Sequence, residues 1–157
     1  MFFIGIITDK NSENNIKNIM KNKLEKNQII FLNEKNLSNY RNVMFDSVVI
    51  NNVIEDKGSL EKIIKKSKHV LYNSDIKRDE IINDDVYKKL ITYGYNSKAY
   101  VTISSATDDS YLIYVQKEIE GNKKNVGIQE IRFEKNLANI NAYDGMIATI
   151  IDIIYNK

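Results

Sequence analysis

The chain contains no cysteine, which excludes disulfides, thiolate metal sites and cysteine nucleophiles and leaves the compartment unreadable from redox chemistry. It contains no proline either. Set beside a surplus of Asn, Lys, Ile and Tyr, that absence points to a genome rich in A and T rather than to a functional demand. Asparagine then takes loop positions that glycine or proline would fill elsewhere, since it tolerates the left-handed conformation. The only histidine is His69; a Ser-His-Asp triad would have to be built on it, and no Gly-x-Ser-x-Gly elbow is present. Charge of one sign is also scarce: 23 basic residues against 21 acidic ones leave a net charge of +2. The protein as a whole therefore has no electrostatic reason to seek nucleic acid or an anionic membrane. Long apolar runs are missing too. Met1 to Ile7 lacks a basic leader and runs straight into charged residues, and Met146 to Tyr155 is broken by Asp152 at about ten residues, half of what a bilayer demands. A cytoplasmic protein is the expectation.

What is present is enough for one ordinary globular domain. A chain of 157 residues, 43% hydrophobic and 28% charged, can bury one proper core, and no linker divides it, so residues 1–157 are read as a single domain. Met1-Phe2-Phe3-Ile4-Gly5-Ile6-Ile7-Thr8 reads as a buried strand. The polar turn Asp9-Lys10-Asn11-Ser12-Glu13 follows, then a helical pattern with Ile16, Ile19, Met20 and Leu24 on one face. Further short apolar runs at Gln28–Leu32, Ser47–Ile50, His69–Tyr72 and Lys89–Gly94 read as strands, and between the second and third of these lies a helix that Ser59 caps and whose inner face carries Leu60, Ile63 and Ile64. Lys62, Lys65, Lys66 and Lys68 fall on its wet face.

Strands alternating with helices predict parallel β-α units with right-handed connections. From Tyr100 the pattern changes. Ala99–Ser105, Tyr111–Gln116 and Gly127–Phe133 follow one another with turn signals at Asp108-Asp109-Ser110 and Gly121–Asn125, which predicts an antiparallel meander. A helix over Tyr143–Tyr155 closes the chain. The fold class is therefore α/β, with a mostly parallel sheet followed by C-terminal antiparallel strands.

Strand, turn, helix at the N-terminus is the geometry in which a P-loop cradles phosphates, but that cradle needs glycines, a Lys for the outer phosphates and a Ser/Thr for Mg²⁺. The turn here has no glycine. The whole series nevertheless resembles the central ATP-binding domain of the Mur ligases, which add amino acids to UDP-N-acetylmuramate. Ile4–Thr8 with the helix from Ile16 resembles the family's opening strand and P-loop helix. Ser47–Val53 with Glu55–Glu61 resembles the strand ending in Thr-Asn and its Asp-His segment. Val70–Asp75 is similar to the strand ending in Asn-x-Asp-Asp, Leu90–Asn96 with Ala99–Val101 to the Thr-(Phe/Tyr)-Gly strand and its successor, and Ile140–Ala148 to the Asn-Val-x-Asn-Ala helix start. The resemblance implies a three-layer αβα, P-loop-like fold. It also implies that the family's UDP-binding and C-terminal ligase domains, which could not fit in 157 residues, are absent.

Carried over residue by residue, the resemblance puts the phosphate-binding Lys on Ser12 and the Mg²⁺-binding Ser/Thr on Glu13. A hydroxyl cannot neutralise phosphate, and a carboxylate repels it. The Asp-His pair becomes Asp56-Lys57; a carbamylated lysine has no secure counterpart among Lys65, Lys66 and Lys68; Asp144 stands for the second Asn of the closing helix. The candidate ligand-binding residues are Thr8, Lys10, Ser12, Asn51, Asn73, Asp75 and Asn141. No catalytic residue is expected, no metal site, since Asp84-Asp85 and Asp108-Asp109 read as turns, and no cofactor, ATP and Mg²⁺ being disfavoured. The leading expectation is a non-catalytic Mur-ligase-like domain acting through a protein partner or as a homo-oligomer, in a regulatory or accessory role in cell-envelope metabolism. The alternatives are an amide-ligase subunit completed by a partner chain, and a small-ligand sensor using the strand ends.

Overall fold

The computed structural model describes residues 1–25, 28–76, 81–137 and 139–156. Its centre is a strand, β1 (Ile4–Ile7), buried along its whole length because both faces of the sheet are covered there. Ile4 and Ile6 point into one core, with Ile16 and Met20 of helix α1 (Lys10–Met20) and the apolar side of the last helix. Ile7 points the other way, into a second core with Val48, Val70, Phe45 and the residues Leu60, Ile63 and Ile64 of helix α2 (Lys57–Lys66). A strand clothed on both sides has no wet face, which is why this part of the sequence shows continuous apolar runs instead of alternation.

Parallel pairing extends from β1 in both directions, to β2 (Ile29–Leu32) on one side and to β3 (Ser47–Ile50), β4 (His69–Asn73) and β5 (Leu90–Tyr93) on the other. β6 (Val101–Ala106) joins β5 in parallel through Tyr93 and Val101, and then β7 (Ser110–Val115) and β8 (Gln129–Glu134) add antiparallel. The result is an 8-stranded sheet in the order β2-β1-β3-β4-β5-β6-β7-β8. The chain winds from β1 to β2, then returns to the opposite side of β1 to lay down β3. Reversing the direction of winding with right-handed crossovers puts α1 and α2 on opposite faces, and it makes the carboxyl ends of β1 and β3 the switch point of the sheet.

The meander behaves differently. On β7, Tyr111, Ile113 and Val115 are buried, whereas Leu112 and Tyr114 are only half-buried. Helix α4 (Ala142–Asn156) covers the inner face over β5, β6 and β7 and also packs on α1, and among the described residues no helix covers the outer face there. Alternation of apolar and polar residues follows from that one-sided cover.

The expected α/β class, parallel first and antiparallel last, is thus what forms, with helices on both faces of the parallel part. Some local readings are corrected. The cap of α2 is Asp56, whose side chain accepts from the Ser59 N–H, so Ser59 sits inside the first turn. Asp84 and Asp85 lie not in a turn but in the first turn of a short helix, α3 (Asp84–Tyr87), capped by the Asn83 side chain. A 3₁₀ segment, Leu37–Tyr40, has no counterpart in the sequence reading. Lys62, Lys65, Lys66 and Lys68 are exposed. Among the described residues no helix is long and apolar enough to cross a membrane.

Candidate functional site

The carboxyl ends of the parallel strands gather most of the polar residues singled out by sequence. Thr8 follows β1, Asn51 follows β3, and Asn73 ends β4. Their side chains are linked: Asn51 Nδ2 donates to Thr8 Oγ1 at 2.9 Å, and Asn51 Oδ1 accepts from Asn73 Nδ2 at 3.0 Å and from the Tyr93 hydroxyl at 2.9 Å. Asn73 Oδ1 in turn accepts the Asp75 N–H at 3.0 Å, the local bond that turns the chain out of β4. Tyr93 is fully buried and ends β5. Burial, with the Asp144 charge added to it, pushes its phenol well above the ordinary range, so it acts here as a neutral donor.

A second chain of bonds ties the two helices that cover this end of the sheet. Asn141 and Asp144 form a reciprocal cap on α4: the Asp144 N–H donates to Asn141 Oδ1 at 2.9 Å, and the Asn141 N–H donates to Asp144 Oδ2 at 3.2 Å. Asn15, from the buried face of α1, donates to the same Asp144 oxygen at 2.8 Å and to the Asn139 carbonyl at 3.0 Å. Asn141 Nδ2 reaches Ser12 Oγ at 3.4 Å. Asp144 and Ser12 are both fully buried. Asp144 Oδ1 has no hydrogen-bond partner among the described residues.

Asp75 belongs to a third, outer group. Its Oδ2 accepts from the Tyr143 hydroxyl and from the Tyr95 N–H, both at 2.8 Å. The ring of Tyr95, 60% exposed, meets Tyr143 edge to face at 5.6 Å. Partial burial, followed by the hydrogen bond to Asp75, raises the Tyr143 phenol to about 12. A group whose pKa rises on folding contributes stability that is present below its ordinary value near 10 and lost as pH climbs through about 12. Asp75→Asn is therefore expected to bring the Tyr143 ionisation part of the way back toward 10, read as tyrosinate absorbance in an alkaline titration with Tyr143→Phe as the reference. An unmoved late-titrating tyrosine would refute the coupling.

Lys10 stands apart from this seam. Only Thr8 and Asp9 separate β1 from α1, and Asp9 turns its carboxylate onto the helix start, accepting the Ser12 N–H at 3.0 Å. Lys10 points outward, its side chain 76% exposed and its Nζ 3.3 Å from Glu13 Oε1. Glu13 also takes Lys17 at 2.6 Å. Partial burial works to raise the Glu13 carboxyl, but the hydrogen bonds from Lys17 and Lys10 outweigh it and hold the group below its ordinary value.

His69 lies at the opposite end of the sheet, at the start of β4. Its Nδ1 is 3.4 Å from Ser47 Oγ, which is itself 2.5 Å from the Tyr155 hydroxyl. Ser47 is fully buried, so no substrate reaches its oxygen. Asp46, which would have to orient the imidazole in a triad, spends its carboxylate on Lys68 and on the Phe3 N–H. Among the described residues no cluster of His, Cys, Asp or Glu could hold a metal.

Sequence reasoning had no reason to pick Asn15 as part of the site. The available signal was spacing: Ser12, Asn15, Ile16 and Ile19 share the i, i+3, i+4, i+7 face, and a polar residue on a buried stripe demands a partner. Tyr93 and Tyr143 could have been flagged only by their places, one before Gly94 and one inside the cap of α4. Compared with known proteins, the chain matches no family model and no curated sequence.

Proposed function

We propose that this protein is a non-catalytic binding domain of regulatory or accessory type, built on a Mur-ligase-like α/β frame that does not grip a nucleoside triphosphate. The observation that carries the reading is the Asp9 carboxylate on the Ser12 N–H in the first turn of α1. A helix start attracts an anion through its free N–H donors and its dipole; here a carboxylate already supplies that charge. The connection from β1 to α1 is too short to wrap a phosphate, and the nearest lysine, Lys10, is held by Glu13. Asp9, Asp75 and the buried Asp144 give the same end of the sheet an acidic lining, which opposes a triphosphate further.

The mutual bonding of Thr8, Asn51, Asn73 and Tyr93 weighs against a small-ligand sensor at the strand ends. Amides and hydroxyls that satisfy one another leave little for a ligand to claim. A role in cell-envelope metabolism is what the resemblance to the Mur ligases adds to this reading.

Titration with Mg-ATP, Mg-ADP and UDP-sugar precursors, by calorimetry and by thermal melting, tests this reading. A ligand at a hundred times its Kd would add about 2.7 kcal/mol of stability, a shift of several degrees in a domain of this size. No heat and no shift are expected. Micromolar Mg-ATP affinity that disappears in Lys10→Ala or Ser12→Ala would overturn it.

A further inference from the structure

We infer that two copies of this chain join through β8, antiparallel and centred on Ile131, to make one continuous sheet. β8 is the last strand of the sheet, so one row of its N–H and C=O groups has no neighbouring strand. An open edge is a template for another strand. Its cover is also incomplete on the core side. Helix α4 sits over β5 to β7, leaving Ile131 and Phe133 half-buried beside a cavity of about 210 Å³ that Ala148 and Ile153 also line.

Charge decides which strand fits this edge. Along β8, Glu130, Arg132 and Glu134 point to the wet face and are exposed, while Ile131 and Phe133 point to the core face. Two copies related by a two-fold axis perpendicular to the sheet keep their faces in common, so residues of the same parity oppose each other. Two registers then pair nearly the whole strand. With the axis at Ile131, Glu130 of each copy faces Arg132 of the other, and Ile131 faces itself beside the cavity. With the axis at Arg132, the two arginines face each other and Glu130 faces Glu134 twice. Opposite charges directly across a sheet stabilise and like charges destabilise. The same side chains that reject the second register therefore select the first, and the doubled sheet brings the two half-covered apolar shelves together on one face, where each shields the other.

A charge-reversal cycle on the full chain, followed by sedimentation velocity at low salt, tests the register. The parent protein is expected to dimerise reversibly, more weakly as salt rises. Glu130→Arg and Arg132→Glu each turn symmetry-related attractions into repulsions and are expected to weaken the dimer about tenfold. The double variant restores opposite charges and is expected to return most of that loss. Both positions are exposed, and circular dichroism checks folding; if a reversal misfolds, Glu130→Gln and Arg132→Gln are each expected to weaken the dimer by a smaller factor, and neutral singles that leave it unchanged would overturn the inference as well. A parent that stays monomeric to millimolar concentration, a dimer indifferent to the single reversals, or a double variant no tighter than the singles would each overturn the inference.

Discussion

Replacing Asp144 with alanine is expected to destabilise the fold by about 2–4 kcal/mol, which in a domain of this length lowers the melting temperature by roughly 5–15 °C. The side chain is fully buried and its Oδ2 collects the Asn15 amide from α1 and the Asn141 N–H at the start of α4. Hydrogen bonds to a charged acceptor are worth about 1.5–3 kcal/mol each, and the carboxylate also complements the positive end of the α4 dipole. Working against these is the desolvated Oδ1, without a partner among the described residues, so the net effect falls short of the sum. Urea unfolding followed by circular dichroism measures it. Asn15→Ala is expected to cost less, about 1 kcal/mol, because the Asn141 N–H keeps its acceptor. An Asp144→Ala protein within about 0.5 kcal/mol of the parent would mean that the orphaned oxygen cancels both bonds.

Asp144 and Asn141 have a structural task in this fold. In the resemblance drawn from sequence, Asn141 and Asp144 stand where a ligase has nucleotide-contacting asparagines; in the structure, each caps the other's backbone. Asp9 does the same for α1. The starts of α1 and α4 are thus both closed by the protein's own carboxylates, one of which, through Asn15, also links the two helices. The polar seam accordingly works as a clamp on α1, α4 and the strand ends. In the proposed reading the binding role falls to a surface elsewhere, and the β8 edge, with half-covered apolar residues and alternating charges, is the one we infer.

How legible this was in the sequence varied with the length and the two-sidedness of each element. β3 was read at Ser47–Ile50, the bounds it has, because an apolar run buried on both faces and closed by Asn51-Asn52 leaves little choice. α2 was placed correctly by Leu60, Ile63 and Ile64, yet its start slipped, since Asp56 and Ser59 are both competent caps and only geometry tells which side chain accepts. α3 and the 3₁₀ segment at Leu37–Tyr40 span a single turn each, too short for any periodicity to register. Within the seam, Thr8, Ser12, Asn51, Asn73, Asp75 and Asn141 were named from sequence, whereas Lys10 turned outward. The reason is local: α1 begins at Lys10 itself, so Glu13 lies one helical turn on and pairs with it, and the start of that helix is fixed by Asp9 taking the Ser12 N–H.

Substitution of Gly94 by alanine is expected to cost about 2–4 kcal/mol as well, from two separable causes. The residue holds φ at +152°, a backbone conformation that L side chains rarely adopt. An added Cβ would also lie 2.8 Å from the Asp75 carboxylate, at Cγ and both oxygens alike. That carboxylate cannot simply rotate aside, because the Tyr143 hydroxyl and the Tyr95 N–H hold it. Moving it breaks the outer part of the seam. Asp75→Ala removes the clash but not the backbone strain, so the double variant Gly94→Ala with Asp75→Ala is expected to lose less than the two single changes added together, with a coupling of about 1 kcal/mol. The same displacement should shift the Tyr143 phenol down from about 12, giving a spectroscopic reading of the contact that does not depend on stability. Simple additivity, with Tyr143 unmoved in Gly94→Ala, would show that the glycine answers to the backbone alone and that Asp75 approaches it by coincidence.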